Sequence, residues 1–406
     1  MEWHVVTGEY PPQPGGVSDY TYQVCRELAK GGDEVHVWQP GIYRASHSEP
    51  VSVHALPEGF GWRWLKELGR GLADYPGPRN ILIQYVPHMY GWKSMNLAFC
   101  WWIFNHRLDN IFVMFHEVAF PFRNRQPLRH KLLAVVHRAM AWTILRSVRH
   151  SFTSTEPYLA LLRRLGKIQT PISMLRICSN IPLDSYRLDR ALLGHEPDTQ
   201  ASFCVGIFSN FSSEICRTLA PVIGQILEDP QIAIRLLGPG EAFAQKLRSE
   251  YCDYADRISS TGRLHVTQVG EQMQTCHVLL QLYPDGASAA RGTLIGAMAS
   301  HVPVITNSGA ATDTLLIDSK SMLFTDGTPR SVCGALGLLK SNPALARELA
   351  SRAQAVYKES FDSVVIAAHL REVAWNRVNS LESAPEKQPV SSSVGSIPVY
   401  DPQPKP

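Results

Sequence analysis

The amino-acid sequence predicts an α/β protein made of two tandem domains, each a doubly wound parallel sheet, with a cleft between them. Three observations lead there. Short apolar runs such as ILIQYV at 81–86 lack polar alternation, the pattern of strands buried on both faces of a parallel sheet. These runs alternate with segments whose apolar residues recur every three or four positions, the periodicity of helices packed on one side. The alternation pauses after SNIP at 179–182 in polar, aperiodic sequence and resumes at Phe203. At 406 residues, 45% hydrophobic and 18% charged, the chain is globular and long enough for two domains of ordinary size.

The first domain opens with a strand at 4–6, the Pro- and Gly-rich loop TGEYPPQPGGVSDY, and a helix over 18–30 that buries Val17, Tyr20, Val24 and Leu28. Gly31 and Gly32 end that helix, and 34–38 is the next strand. Gly15 and Gly16 stand just before the helix, where backbone N–H groups can face an anion; alternatively the pair serves only a tight turn. Strands at 51–56, 80–86 and 111–115 follow, separated by helices at 62–72 and 95–105. The strand at 111–115 delivers His116 and Glu117 at its carboxyl end, where open α/β sheets place their chemistry. His116 reads as a structural or a functional side chain. It forms no metal pair with Glu117, because neighbours on an extended chain point apart. A helix over 128–148 carries Arg129, His130, Lys131, His137, Arg138 and Arg146 among Leu, Val and Ala, which suits a solvated outer face or an interfacial membrane helix. A strand ending in SFTSTE, a helix from Glu156 and a strand at 172–177 complete the domain.

In the second domain, strands at 203–208, 232–237, 258–261, 278–283, 302–306 and 321–324 alternate with helices, and further helices fill 329–339, 343–359 and 363–378. The expected limits are 1–185 for the first domain, 186–362 for the second, a C-terminal helix at 363–378 that can return to the first domain, and a Pro- and Ser-rich disordered tail at 379–406. The stretch LYPDGASAARGTLIGAMASHVPVITNSG at 282–309 is a β-loop-α-β unit. The first N–H groups of its helix have no internal partner, so the backbone of Gly292, Thr293 and Leu294, the Thr293 hydroxyl and the Arg291 guanidinium can receive an anion such as a diphosphate. The alternative is that Ala287, Ala289 and Ala290 pack an ordinary crossover and Arg291 is a solvated charge.

Composition narrows the partners. The eight cysteines include no C-x-x-C pair and several lie in apolar runs, which suits reduced thiols and a cytosolic default. No basic segment followed by an apolar core opens the chain, so no signal peptide is expected. The longest apolar stretch, near 95–104, is too short to span a bilayer. The first 195 residues carry 22 Lys and Arg against 15 Asp and Glu, while the rest carry 17 against 21. A basic first half favours a phosphate-bearing partner or peripheral contact with an anionic membrane at its cytoplasmic face. Helix-turn-helix, zinc and aromatic RNA-reading motifs are absent, so no nucleic acid is expected as a partner.

Taken in order, PPQPGGVSDYT, the strand ending in FHE, STE, SNIP, IRLLGPG, TGRL and GAMASHVPVITNSG resemble a GT-B glycosyltransferase of the family 4 type, also called group 1, over about residues 3–376. The resemblance implies two Rossmann-like domains, the second binding a UDP- or GDP-linked sugar and the first binding a glycan or lipid-linked acceptor. It implies no metal and no cofactor beyond that co-substrate, hexosyl transfer with retention, and a place in polysaccharide biosynthesis. The donor-binding set it implies is Gly15, Gly16, Ser209, Asn210, Ser288, Arg291, Gly292, Thr293 and Leu294, with His116 near the transferred sugar as the catalytic residue.

Two departures qualify the resemblance. The family's pair of Glu residues falls here on Ser288 and Gly296, so both carboxylates are gone. The Arg and Lys that usually follow the first strand of the second domain are replaced by SNFSSEICR, beginning at Ser209 and Asn210, and Arg291 is the only new cation in the right place. Loss of a departing diphosphate needs preorganised donors, which backbone and hydroxyl groups supply without a metal. Three readings stay open: an active glycosyltransferase with a rebuilt donor site, a catalytically inactive GT-B scaffold or accessory subunit in envelope polysaccharide assembly, and a different GT-B reaction such as nucleotide-sugar epimerisation.

Overall fold

The computed structural model of the chain describes residues 1–41, 50–124, 126–165, 170–181 and 203–382. Seven strands, β1 (Glu2–Val6), β2 (Glu34–Pro40), β3 (Ser52–Leu56), β4 (Asn80–Tyr85), β5 (Asn110–Phe115), β6 (His150–Thr153) and β7 (Ile172–Met174), form one sheet in the order β3-β2-β1-β4-β5-β6-β7. Every neighbouring pair is parallel. Helices α1 (Gly16–Lys30), α2 (Trp62–Ala73), α3 (Leu97–Asn105), α4 (Leu128–Leu145) and α5 (Glu156–Arg164) fill the crossovers.

A second parallel sheet contains β8 (Phe203–Phe208), β9 (Ile232–Leu237), β10 (Ile258–Ser260), β11 (Val278–Gln281), β12 (Val304–Asn307) and β13 (Leu323–Thr325) in the order β10-β9-β8-β11-β12-β13. Its helices are α6 (Ser213–Ile226), α7 (Glu241–Glu250), α8 (Val266–Gln274), α9 (Gly292–Ala299), α10 (Thr314–Asp318), α11 (Pro329–Ser341), α12 (Pro343–Ser360) and α13 (Ser363–Glu382). Two tandem Rossmann-like α/β units are therefore present.

The unbroken apolar runs are buried because helices cover both faces of each sheet. Under α2, α3 and α4, the first sheet packs on Trp64, Leu68, Phe99, Ile103, Met140 and Ile144. On its other face, Tyr20, Val24 and Leu28 of α1 meet Ile366, Leu370 and Ala374 of α13. Arg371 fastens that contact: its guanidinium pairs with Asp33 (2.6 Å) and donates to the carbonyls of Glu27 (3.1 Å) and Leu28 (2.6 Å) at the end of α1, where a cation meets the negative end of the helix. Helix α13 runs to Glu382, past the residue 379 at which the tail was expected to start. The expected boundary at 185/186 and the tail from 383 onward lie outside the described residues.

Strand order reverses between β1 and β4 and again between β8 and β11. Ligands bind open α/β sheets at the carboxyl ends of the strands flanking such reversals. The segments following β1, β8 and β11, loops and the helix starts they lead into, hold Gly15–Gly16, Ser209–Asn210 and the run from Ser288 to Leu294, and His116 follows β5, the strand next to β4. Cys25, Cys100, Cys178 and Cys204 are buried thiols outside any disulfide, and Cys276 is buried beside Cys204. Among the described residues, no helix is long and apolar enough to cross a membrane.

Candidate active site

The loop from β11 to α9 is clamped from below. Asn307, at the end of β12, accepts from the Tyr283 N–H and donates to the Tyr283 carbonyl, both at 2.9 Å. Gly286 turns at φ +93°, and a Cβ there would collide with the Gly309 backbone. With the Gln281 amide donating to Tyr283 Oη (3.0 Å) and to the Phe208 carbonyl (3.0 Å), Tyr283 Oη and Thr293 Oγ1 share a hydrogen bond at 2.8 Å.

Helix α9 starts at Gly292 without a side-chain cap, and the space a Cβ on Gly292 would enter is open. The N–H groups of Gly292 and Thr293 have no acceptor within the helix. Leu294 differs from the expectation: its N–H closes the first turn on the Arg291 carbonyl at 2.9 Å and supplies no donor to a ligand. Arg291 is not an unopposed cation either. Its guanidinium is paired with Asp285 and lies 5.1 Å from the centroid of the Tyr283 ring, so the charge expected for a diphosphate is already neutralised.

Ser288 points inward and donates to Asp313 Oδ2 (3.3 Å), which also accepts from the Ala289 N–H (2.6 Å). The other oxygen of this buried carboxylate faces the first domain, 3.5 Å from Arg176 Nη1 and 3.5 Å from the Glu156 N–H. Beside it, Thr314 donates to Glu156 at 2.7 Å. A carboxylate thus stands next to the position where the family's first Glu is missing, engaged in holding the cradle and joining the two domains. Neither Asp313 nor Arg176 stood out in the sequence. An Asp before a short helix reads as an N-cap, yet the Asp313 side chain caps nothing in α10.

The second missing Glu has a steric reason. A Cβ on Gly296 would meet Ile181 Cδ1 at 3.2 Å and Ser179 Oγ at 3.3 Å, so the SNIP turn fills the space a longer side chain would need. In the loop after β8, Ser209 accepts from the Phe211 N–H and Asn210 from the Ser212 N–H, each at 3.2 Å. Both side chains shape the turn into α6 and bring no positive charge.

At the head of α1, Gly15 is extended (φ 178°), a conformation open to any residue. A Cβ on Gly15 would meet the Glu9 carboxylate, whose Oε1 accepts the Ser18 N–H at 3.0 Å. An internal carboxylate therefore already occupies this helix N-terminus. Gly16 faces open space. Asp19, in the first turn, accepts from Asn180 of the SNIP segment at 3.0 Å, and burial raises its pKa above the ordinary carboxylate value.

His116 is half-buried at the end of β5, its Nε2 2.7 Å from Gln84 Oε1 and its ring edge-on to Tyr20 at 4.9 Å. Burial lowers its pKa to about 3, so the imidazole is neutral. With Nε2–H donated to Gln84, Nδ1 is left as an acceptor. Tyr20 Oη and Gln84 Nε2 are buried without a hydrogen-bond partner, so polar capacity is concentrated around this ring.

No family model and no curated protein matches the sequence. Solved structures match almost its whole length. Sucrose-phosphate synthase from Thermosynechococcus elongatus superposes with a TM-score of 0.68 at 16% identity, covering 94% of this chain and 100% of that one. HepE from Anabaena, in complex with UDP-glucose, gives 0.64 at 15% identity over 93% and 100% of the two chains. WaaG, a glycosyltransferase involved in lipopolysaccharide biosynthesis, gives 0.61 at 13% identity over 92% and 99%. At these identities the likeness establishes the fold, and the fold is the GT-B fold of glycosyltransferases.

Proposed function

We propose that the chain is a nucleotide-sugar-dependent glycosyltransferase of the family 4 type that moves a hexosyl unit from a UDP- or GDP-linked donor to a glycan or lipid-linked acceptor, with retention, in cytoplasmic polysaccharide assembly. The observation that carries this reading is the uncapped N-terminus of α9 at the β8/β11 reversal, in a fold whose solved neighbour HepE holds UDP-glucose. As the bond to the sugar breaks, negative charge grows on the departing diphosphate. The Gly292 and Thr293 N–H groups and the Thr293 hydroxyl are fixed in place before that charge appears, which is how preorganised donors lower a barrier. Across the cleft, neutral His116 offers Nδ1 to a hydroxyl of the sugar or of the acceptor.

A second reading has its own observation. The Glu9 carboxylate at α1 and the Arg291–Asp285 pair both reduce the positive potential that a diphosphate needs, as in an inactive scaffold. Melting-point measurements with UDP-, GDP- and ADP-sugars, followed by a released-nucleotide assay with lipid and oligosaccharide acceptors, separate the two. Stabilisation with turnover supports the enzyme, stabilisation without turnover supports the scaffold, and the absence of both overturns each.

A further inference from the structure

Helix α4 has two apolar faces. Ala134, Met140, Ala141 and Ile144 are buried in the core of the first domain. On the opposite side, Leu128, Leu132, Val135 and Trp142 recur at helical spacing and are exposed, Leu128 by 81%. The neighbouring α3 repeats the pattern, burying Phe99, Trp102 and Ile103 while exposing Leu97 and Trp101. Single exposed apolar residues are ordinary, but two helices that pack on each other and each expose Leu and Trp side chains at helical spacing point to an interaction surface.

Charge identifies what covers it. Between residues 91 and 149 the sequence has nine Lys and Arg and two acidic residues, Asp109 and Glu117. Asp109 is paired with Arg79 at 2.9 Å, and Glu117 sits beside His88 at 3.4 Å. Neither α3 nor α4 contains an acid. Arg129 and Lys131 lie in the first turns of α4, at the positive end of its macrodipole, where cations oppose helix stability and have no intrinsic reason to be. Arg146 and Arg107 lay their guanidinium groups 4.8 Å and 4.9 Å from the ring centroids of Trp142 and Phe104, which places cations directly on aromatic rings of the two helices. Lys and Arg outnumber acids nine to two over this segment, so the charge it carries beside the apolar stripes is mostly positive.

We propose that the outer faces of α3 and α4 seat the protein on an anionic lipid bilayer, with the Leu and Trp stripes entering the acyl boundary and Arg107, Arg129, Lys131 and Arg146 meeting lipid phosphates. Without a helix that crosses the membrane among the described residues, the contact is interfacial. Helix α4 follows β5 and His116 in the first domain, so on the proposed function the seat belongs to the domain that holds the acceptor. It does not depend on which sugar is moved.

Co-sedimentation of the full chain with phosphatidylcholine vesicles, with and without about one third phosphatidylglycerol, tests this. Binding is expected only to the anionic vesicles and should fall in high salt. The double variant Leu128→Ser, Leu132→Ser should lose it at all salt concentrations with an unchanged melting point, since both side chains are exposed. The pair Arg129→Gln, Lys131→Gln should bind about 25-fold more weakly at low salt, at roughly fivefold per cation removed near an anionic surface. Equal binding to neutral vesicles, absence of binding, or full binding by the Leu variant would overturn the proposal. So would a concentration-dependent dimer abolished by Leu132→Ser in sedimentation velocity, because the face would then belong to a second copy.

Discussion

The two glycine-led helix starts of this molecule, α1 in the first domain and α9 in the second, look alike as sequence and differ as sites. Both follow a strand beside a reversal of sheet order, and both present amides at a positive helix end. At α1 the position is filled from within by Glu9; at α9 no side chain caps the helix and the front of Gly292 is open. A glycine before a helix is therefore not itself a ligand site, because what already occupies the helix end decides.

The largest expected effect concerns Asp313, which ties the α9 cradle to the first domain. Asp313→Ala leaves Arg176, largely buried, without its partner and should destabilise the protein by about 3 kcal/mol in denaturant unfolding, with weaker UDP binding. Unchanged stability would show that the cradle holds its shape without the first domain.

Next comes His116→Ala. Turnover should fall about 10²-fold with UDP affinity unchanged, as for a positioned side chain that acts in the transition state. Parental turnover would make His116 purely structural.

The comparison is sharpened by two substitutions of opposite sign. Glu9→Gln keeps an acceptor for the Ser18 N–H but removes its charge, and should tighten UDP binding about 2- to 5-fold if α1 faces the diphosphate. Arg291→Ala should weaken UDP binding by a similar factor, since it leaves the Asp285 carboxylate uncompensated near the cradle. Calorimetric titration reads both, and identical affinities for both variants and the parent would remove α1 and Arg291 from the donor site.

The smallest effect is on acid stability. Burial lowers the His116 pKa to about 3 and the His4 pKa to about 4. Between those values and 6.5 the unfolded chain binds more protons, so stability is full above about pH 6.5 and falls as pH drops toward 3. His116→Gln removes one of these groups, and its melting point should drop less between pH 7 and pH 4, by about 2–4 °C for each kcal/mol recovered. An identical acid limb would place the His116 ring in solvent.

Local pattern made the fold readable. Strands β8 and β9 occur at the residues the apolar runs indicated, since nothing beyond burial on both faces was needed to specify them. Where a boundary moved, a local cause is visible: β12 begins at Val304 after Pro303, which has no N–H to donate and contributes only its carbonyl to Leu279 (2.9 Å). The loops that carry the candidate site were also readable, because the chemistry of open sheets gathers at strand ends. The occupancy of those loops was not. Glu9 reaches Ser18 across a loop, Asp313 reaches Ala289 from beyond β12, and Arg176 arrives from the other domain. Such pairings between distant segments leave no period in the sequence.

A nucleoside diphosphate is expected to seat on the uncapped N-terminus of α9 and not on the Glu9-capped α1. A crystal structure of the full chain with UDP tests it most directly. Phosphate oxygens are expected within about 3 Å of the Gly292 and Thr293 amides and of Thr293 Oγ1, with Glu9 still on Ser18. A diphosphate bound at α1 with Glu9 displaced, or held away from Gly292 and Thr293, would contradict it.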